Sequence, residues 1–310
     1  MTEPIDAARA ILRAACGDRV RADVPMAPLT TFRIGGPAAV FLEPETLEDL
    51  HAVGRAVAQT GVAVAIVGKG SNVLVADEGF PGIVLRLGRG FRWSARDGGT
   101  VTAGAAMPLP ALAGVAQQHG LAGLGFGVAI PASLGGAVRM NAGAHDGQMA
   151  DVVASVDVLE LAEDRARTLH TEEVGFAYRS TTLAADAVVV AASLRLRAGD
   201  PTEIRAAMDA ARRWRRDTQP IAEPNCGSVF KNPPGDHAAR LVEEAGGKGL
   251  AVGGATISTK HANFIVTSPG ARAVDVLDLI HSVQELVAAR TGIRLEPEVH
   301  LVGDLDLDRR

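Results

Sequence analysis

Apolar residues recur at helical spacing near the start of the chain and then give way to two short apolar runs. The positions of residues 45–60 that share one helical face are Leu47, Leu50, Val53 and Val57. Gly61 follows them directly, as glycine often does at a helix end. The run Val62 to Val67 has the length and composition of a buried strand, and the run Ile83 to Leu87 predicts a second strand. These elements predict a small α/β unit.

The middle of the chain follows a different pattern, in which apolar and polar residues alternate. Residues 100–106 predict a strand, and residues 109–119 predict a helix with prolines near its start. Two later segments alternate with a period of two residues, as half-buried strands do. Their apolar positions are Val152, Ala154, Val156 and Val158 in the first segment and Val190, Ala192, Leu194 and Leu196 in the second. This part of the chain is therefore expected to be α+β.

Helix signals open the last third of the chain. Asp200-Pro201-Thr202-Glu203 offers a helix cap, a proline at the first helical position and an acid at the third, and predicts a helix to about Arg216. A second helix is expected over residues 274–289, closed by Gly292, and a strand over residues 294–302. The expected segments are an N-terminal extension or helix (1–22), two subdomains (23–88 and 89–198) and a C-terminal domain (199–310).

Composition narrows the class of partner. The 310 residues carry a formal net charge of −5, which argues against a nucleic-acid or anionic-membrane partner but allows a small anionic substrate. Cys16 and Cys226 form no CxxC pair, and the acidic N-terminus is unlike a secretory signal, so we expect a cytoplasmic protein. Residues 121–138 are uncharged, but five glycines and Pro131 would break a membrane-spanning helix. We expect no membrane insertion, and no obligate protein partner is evident.

A glycine-rich loop follows the first predicted strand. Its residues are Gly68, Lys69, Gly70, Ser71 and Asn72. Glycines let backbone N–H groups approach a pyrophosphate closely, and Ser71 and Asn72 add side-chain donors. The loop matches neither the G-x-G-x-x-G dinucleotide pattern nor a P-loop. By itself it fits a phosphate site and an ordinary tight turn equally well.

Long motifs on both sides of this loop favour the phosphate site. They are Thr31 to Pro37 (TFRIGGP), Leu74 to Gly82 (LVADEGFPG), Gly135 to Ala144 (GGAVRMNAGA), Phe176 to Ser180 (FAYRS), Gly227 to Pro233 (GSVFKNP), Ser258 to Phe264 (STKHANF) and Pro297 to Val299 (PEV). In this order and spacing, over roughly residues 25–303, the chain resembles the UDP-N-acetylenolpyruvoylglucosamine reductase family.

The resemblance implies an α+β flavoprotein. Its expected architecture is an FAD-binding fold of the vanillyl-alcohol oxidase type in two subdomains, followed by a C-terminal α+β substrate-binding domain. FAD would be bound non-covalently, with NADPH as co-substrate and a UDP-sugar as substrate. Arg179 and Ser228 are 49 positions apart, a spacing that resembles the family form without an extra substrate-covering loop. The implied cofactor contacts are Gly68, Lys69, Gly70, Ser71, Asn72, Ser133, Gly135, Gly136, Asn141 and Gly143.

The chain departs from the family pattern at a few positions, most of them in the flavin-binding part. Lys69 stands where a glycine is common, and Thr267 where an asparagine is common. The remaining departures are Gly125, Ala132 and Asp146. They bear on FAD affinity and loop shape, and leave the reaction unchanged.

Reduction of an enolpyruvyl ether requires a hydride at the terminal methylene carbon and a proton at its neighbour. Side chains cannot donate hydride, so a flavin is expected, and the charge pushed into the carboxylate calls for a cation. By resemblance, Ser228 is the proton donor, Arg179 the carboxylate partner, and Glu298 a carboxyl group that stabilises or protonates the intermediate. From chemistry alone Cys226 competes with Ser228, because a thiol is more acidic than a hydroxyl.

Further substrate contacts are expected from Tyr178, the only tyrosine, and from Lys231 and Asn232, which closely follow Ser228. His261 has no second metal ligand at useful spacing, so we expect no metal site. Two other functions stay open, namely a different flavoenzyme such as an alcohol or lactone oxidase, and a nucleotide-binding protein that has lost catalysis. The joint presence of Ser228, Arg179 and Glu298 favours the reductase.

Overall fold

The computed structural model describes residues 2–145 and 147–307. Contacts among these residues separate two compact units, each assembled from stretches that are distant in sequence. The first unit comprises Met1–Ala22, Ala39–Lys69 and Gly82–Trp214, and the second Asp23–Ala38, Gly70–Pro81 and Arg215–Arg310, as far as these stretches are described. The segment boundaries expected at residues 22, 88 and 198 stay a prediction.

Eight α-helices occur among the described residues, and local capping sets several of their ends. The helix that ends at Thr60 begins after Thr46, whose hydroxyl accepts from the Asp49 amide at 3.2 Å, and stops at the left-handed Gly61. The Asp200 carboxylate accepts from the amides of Thr202 and Glu203, as its position predicted. The helices are α1 (Thr2–Cys16), α2 (Leu47–Thr60), α3 (Leu109–Gln118), α4 (Leu134–Arg139), α5 (Thr171–Val174), α6 (Pro201–Thr218), α7 (Ala238–Glu244) and α8 (Ala273–Thr291).

The strands are short except in the middle of the chain. They are β1 (Val20–Pro25), β2 (Pro37–Leu42), β3 (Val64–Ile66), β4 (Val73–Val75), β5 (Phe80–Leu85), β6 (Ser94–Asp97), β7 (Thr100–Gly104), β8 (Leu121–Ala122), β9 (Gly143–Ala144), β10 (Gly147–Gln148), β11 (Val153–Glu160), β12 (Arg165–His170), β13 (Ala187–Arg195), β14 (Arg197–Ala198), β15 (Ala251–Val252), β16 (Ala255–Ile257), β17 (Ile265–Thr267) and β18 (His300–Val302). Their mixture with the helices agrees with the α+β class expected.

The first unit contains an antiparallel sheet in the order β12-β11-β13-β7-β6. Its central strand β13 serves two cores, because Val189 and Leu194 pack into one and Val188 and Val190 into the other. The sequence pattern predicted a half-buried strand here. The first six residues of β13 are instead buried on both faces, since cores lie on either side of the sheet.

A second sheet, ordered β1-β2-β5-β3, contains a parallel pair. Strand β3 pairs with β5 so that Ile66 lies opposite Leu85. Parallel strands end at the same edge of a sheet. Lys69 and Arg86, which come after these two strands, therefore lie at the same edge of the sheet.

In the second unit, α7 and α8 share a core with the sheet β15-β16-β17. The strand expected over residues 294–302 is shorter than predicted, since only His300–Val302 pairs continuously, in parallel with β4. Pro297 lacks an N–H group and makes a single bridge with Phe230. In the described part of the chain, no helix combines the length and apolar character needed to cross a membrane.

Candidate active site

A concave pocket in the first unit lies where β3 and β5 end. Its empty volume, including the part that is open to solvent, is about 620 Å³. The loop start Gly68-Lys69 forms one wall and Ser133, Gly135 and Gly136 form another. The other lining residues are Ile66, Val67, Arg86, Leu87, Arg92, Ala105, Ala106, Arg139, Ala187 and Val189. Five of the residues predicted to contact a cofactor thus meet at one pocket.

The pocket lining is strongly basic. It contains Lys69, Arg86, Arg92 and Arg139 and no carboxylate. Within residues 2–145 and 147–307, no acid forms an ion pair with Lys69, Arg86 or Arg92. Burial lowers the pKa of Lys69, and the charges of Arg92 and Arg86 lower it further. Like charges held together without a counter-charge favour an anionic ligand.

Close packing explains two of the loop glycines. A Cβ on Gly68 would lie 2.6 Å from the Ser133 hydroxyl oxygen, in the first unit. Gly70, in the second unit, has a φ of 63°, and a Cβ there would lie 2.1 Å from the Leu29 carbonyl oxygen. At Gly68 and Gly70, therefore, a side chain would clash with its surroundings.

Tyr178 and Arg179 occupy the tip of a tight turn in the first unit. Ala177 and Ser180 close this turn through two backbone hydrogen bonds, of 3.0 and 3.3 Å. Arg179 has a φ of 56°, a left-handed conformation that costs a non-glycine residue about 1 kcal/mol or more. Its guanidinium carbon lies 5.1 Å from the centre of the Tyr178 ring. Backbone strain of this kind is concentrated at functional sites.

The glycine-rich segment after α4 anchors this turn. The buried Asn141 amide donates to the Ala177 carbonyl oxygen at 2.9 Å, and an Arg179 nitrogen donates to the Gly143 carbonyl oxygen at 3.1 Å. Asn141 also accepts from the Ala150 amide and donates to Gln148. Asn141 and Gly143, predicted as cofactor contacts, thus hold the segment that presents Arg179.

Ser228 and Glu298 lie on adjacent backbone segments of the second unit. The Glu298 amide donates to the Val229 carbonyl oxygen at 2.7 Å, and the Lys231 amide donates to the Glu296 carbonyl oxygen at 2.9 Å. Phe230 bridges Pro297 between them in antiparallel fashion. We call residues 228–231 with residues 296–298 the Ser228–Glu298 ribbon.

The loop residue Asn72 borders this ribbon. Its side-chain amide donates to the Glu298 carbonyl oxygen at 3.1 Å, and its own carbonyl accepts from the His300 amide at 3.1 Å. The Asn72 side-chain oxygen is buried without a hydrogen-bond partner among the described residues. The end of the predicted phosphate loop is therefore tied directly to the segment that carries Glu298.

Lys231 and Asn232 extend from the same ribbon. The Lys231 ammonium lies 2.6 Å from a carboxylate oxygen of the exposed Glu296. Asn232 accepts from the Ala238 amide at 3.0 Å, at the start of α7. Lys231 is therefore held by an acid on the surface, and Asn232 positions a helix.

Cys226 is a poor rival of Ser228 as a proton donor. Its side chain is buried, and burial raises the pKa of the thiol, with a further increase from the negative charge of Glu298. A thiol with a raised pKa donates its proton less readily. This weakens the advantage in acidity that chemistry alone gave to Cys226.

The structure thus distributes the predicted site residues between the units. Tyr178, Arg179 and the basic pocket belong to the first unit, and Ser228, Lys231, Asn232 and Glu298 to the second. The glycine-rich loop is itself divided after Lys69. The Ser228–Glu298 ribbon and the Tyr178–Arg179 turn are each well defined within their own unit.

Sequence reasoning missed three pocket residues, Arg86, Arg92 and Arg139. A signal for Arg86 was present, because it lies near the end of a predicted strand, and parallel strands would bring it to the same edge as Lys69. Arg139 was quoted within a motif but given no role. Its guanidinium donates to the carbonyl oxygens of Leu183, Ala184 and Ala187, an arrangement that the sequence does not indicate.

Comparisons with known proteins agree with these features. The C-terminal domain of UDP-N-acetylenolpyruvoylglucosamine reductase matches residues 219–302, and an FAD-binding domain matches residues 37–169. The reductase of Heliobacterium modesticaldum is 48% identical over 282 residues, covering 90% of this chain and 90% of its own. That of Halalkalibacterium halodurans is 42% identical over 294 residues, covering 94% and 97%.

A solved structure gives the same answer for the fold. The crystal structure of the reductase from Thermus caldophilus superimposes with a TM-score of 0.81 at 38% identity, covering 92% of this chain and 99% of the other. With the FAD-binding domain match, this defines the class: the protein is an FAD-dependent oxidoreductase. Its sequence identity to the two reductases over most of its length also identifies the family. The chain belongs to the UDP-N-acetylenolpyruvoylglucosamine reductase family, as its motifs predicted.

The positions that depart from the family pattern have ordinary surroundings. The buried Thr267 hydroxyl donates to the Phe32 carbonyl oxygen at 2.7 Å. Gly125 opens a short 3₁₀ segment, Gly125–Ala129, and the Ala132 carbonyl accepts from the Leu109 amide. Asp146 lies outside the described residues. Lys69 differs from the others, because it places a charge in the pocket lining.

Proposed function

We propose that this chain reduces UDP-N-acetylenolpyruvoylglucosamine to UDP-N-acetylmuramate with electrons from NADPH, in the synthesis of peptidoglycan precursors. The observation that carries the proposal is the Ser228–Glu298 ribbon, within the region matched by the family's C-terminal domain. Saturating a carbon–carbon double bond requires an acid at carbon, and the ribbon carries a hydroxyl and a carboxyl group on adjacent backbone segments. An alcohol or lactone oxidase would need a base instead.

The basic pocket suits the anionic part of FAD. The pyrophosphate carries two negative charges, which would offset the repulsion among Lys69, Arg86 and Arg92. Gly68, Gly135 and Gly136 let backbone amides approach it closely. We assign these residues to the cofactor, together with Ser133, Ser71 and Asn72. When bound, the flavin supplies the hydride.

Arg179 is proposed to bind the enolpyruvyl carboxylate. Its planar guanidinium suits a carboxylate, and the hydrogen bond to Gly143 limits its freedom before substrate arrives. Charge that develops on the carboxylate during the reaction would be stabilised by this cation. Tyr178, exposed beside it, is proposed to contact the substrate.

Ser228 is proposed to protonate the carbon next to the reduced methylene. A serine hydroxyl is a weak acid, so it can act only on a strongly basic carbanion that is held close to it. Glu298, on the adjacent backbone segment, would stabilise the charged intermediate or share its proton. The raised pKa of the buried Cys226 thiol supports Ser228 as the donor.

Lys231 and Asn232 are proposed to contact the UDP portion of the substrate. Glu296 is exposed and holds Lys231 only weakly in water, so a substrate phosphate can compete for the ammonium. Two buried free cysteines suit the reducing cytoplasm, which is where we place the protein.

Anaerobic absorbance spectroscopy tests the whole proposal. Purified protein should show a flavin spectrum that NADPH bleaches and UDP-N-acetylenolpyruvoylglucosamine restores. Restoration by O₂ but not by the UDP-sugar would indicate an oxidase. Protein that stays colourless after addition of FAD would overturn the assignment of the pocket.

A further inference from the structure

Ser228 is held in place only through its neighbours. Across residues 2–145 and 147–307, no hydrogen bond involves Ser228 itself, yet the residues on both sides are tightly bound. On one side, the Gly227 amide donates to the Asn225 side-chain oxygen at 2.9 Å. On the other side, the Glu298 amide binds the Val229 carbonyl. The direction in which the Ser228 side chain leaves the main chain is therefore set by the backbone around it.

One buried residue makes three hydrogen bonds to that backbone. Asn263 is 4% exposed, and its side-chain oxygen accepts from the Phe230 amide at 2.9 Å. Its side-chain nitrogen donates to the Phe230 carbonyl oxygen at 2.8 Å. The Asn263 carbonyl oxygen accepts from the Val229 amide at 2.9 Å. Asn263 thus binds the two residues after Ser228, on the edge of the ribbon that Glu298 does not occupy.

Asn263 is itself well oriented. Its backbone amide donates to the His261 ring nitrogen Nδ1 at 3.3 Å. The His261 ring packs edge-on against the Phe264 ring, with the ring centroids 4.7 Å apart. Burial lowers the pKa of His261, so its ring tends to be neutral and can accept this bond. The asparagine therefore acts as a rigid support for the ribbon.

We propose that Asn263 is a positioning residue for Ser228, which it aligns for proton transfer by binding both backbone groups of Phe230. The proposal rests on the proposed role of Ser228 as proton donor. Proton transfer to carbon depends on a close and well-oriented acid, and a displacement of about 1 Å can cost about a hundred-fold in rate. Asn263 would affect this step without contacting the substrate.

A double-mutant cycle tests whether Asn263 acts through Ser228. Asn263→Leu, Ser228→Ala and the double variant are compared by stopped-flow absorbance, for reduction by NADPH and for reoxidation by UDP-N-acetylenolpyruvoylglucosamine. In the Ser228 background, Asn263→Leu should slow reoxidation about ten- to hundred-fold and leave reduction unchanged. In the Ser228→Ala background it should slow reoxidation less than about two-fold.

Thr267→Val is the matched control, because it removes one buried side-chain hydrogen bond of the same unit whose acceptor, the Phe32 carbonyl oxygen, is not part of the ribbon. It should leave both half-reactions unchanged. Equal slowing by Asn263→Leu in both backgrounds, or no slowing, would overturn the positioning role. If Asn263→Leu does not fold, Asn263→Ser removes the same bonds with a smaller polar side chain and must show the same non-additivity. Failure of Ser228→Ala alone to slow reoxidation would contradict the role of Ser228 as proton donor, and the positioning role of Asn263 with it. Failure of the UDP-sugar to reoxidise the unchanged protein would instead contradict the proposed function.

Discussion

The basic pocket of the first unit and the Ser228–Glu298 ribbon of the second differ in how their polar groups are satisfied. In the pocket, Lys69, Arg86 and Arg92 have no counter-charge among the described residues. In the ribbon, the backbone around Ser228 is bound on both edges, by Asn263 and by the Glu298 segment. The basic pocket presents charges that an anionic ligand would neutralise, whereas the ribbon has a backbone geometry that is already fixed.

This difference separates binding from chemistry. A binding surface gains from groups whose interactions are completed only by the ligand, since the ligand then supplies the missing charge. A proton donor gains from a position fixed before the substrate arrives, since ordering it during the reaction would add to the barrier. Changes in the pocket should therefore alter affinity, and changes in the ribbon should alter rate.

The largest expected effect is that of Ser228→Ala. Loss of a positioned acid costs about 10²–10⁴-fold, so reoxidation by the UDP-sugar should fall by at least about two orders of magnitude. Reduction by NADPH requires no carbon acid and should proceed at a near-normal rate in the stopped-flow instrument. Cys226→Ala is the control and should leave reoxidation nearly unchanged. Equal slowing of both half-reactions would mean that Ser228 shapes the site and does not donate the proton.

Arg179→Ala should have the next largest effect. A lost charge-assisted hydrogen bond costs about 1.5–3 kcal/mol, so kcat/KM for the UDP-sugar should fall about ten- to hundred-fold. Arg179→Lys should recover only part of this loss, because lysine lacks the planar fork. Steady-state rates equal to those of the unchanged protein in both variants would remove Arg179 from the site.

Arg19 of the first unit is paired with the carboxylate of Asp49, in contrast to the cations of the basic pocket. Burial opposes ionisation of Asp49, but hydrogen bonds from Arg19 and from the Glu45 and Thr46 amides outweigh it and lower its pKa from 3.8 to about 2. This stabilisation is present above the unfolded pKa and is lost as the pH falls from about 4 towards 2, by at most about 2 kcal/mol. Asp49→Asn should reduce the acid sensitivity of thermal unfolding in that window. An unchanged pH dependence would show that the pair contributes nothing.

Lys69→Met should have the smallest effect, and on affinity only. Removing one of the pocket cations should weaken FAD binding by about 1 kcal/mol, roughly five-fold, with a shallower salt dependence of the dissociation constant. Fluorescence titration of the apoprotein measures this without turnover. Arg89→Met, an exposed arginine outside the pocket lining, is the control. If both variants bind FAD alike, the pocket charge does not recognise the cofactor.

Much of the fold could be read from local patterns. The helices ending at Gly61 and Gly292 stop at left-handed glycines, and the helix after Asp200 begins at its cap, because these signals act through neighbouring residues. The strand over residues 294–302 was overestimated, because Pro297 interrupts the pairing. Burial of both faces of β13 could not be inferred from alternation, since it depends on which elements cover the sheet.

The sequence by itself determined the family, the cofactor class and the candidates Ser228, Arg179 and Glu298, because long ordered motifs carry that information without knowledge of packing. Only the tertiary structure decided which groups stand together. It gathered Arg86 and Arg92 with Lys69 at one pocket, buried Cys226 so that its thiol became a weaker acid, and placed Asn263 against Phe230. Desolvation, charge repulsion and hydrogen bonding depend on distances between residues far apart in the chain, and folding alone sets those distances.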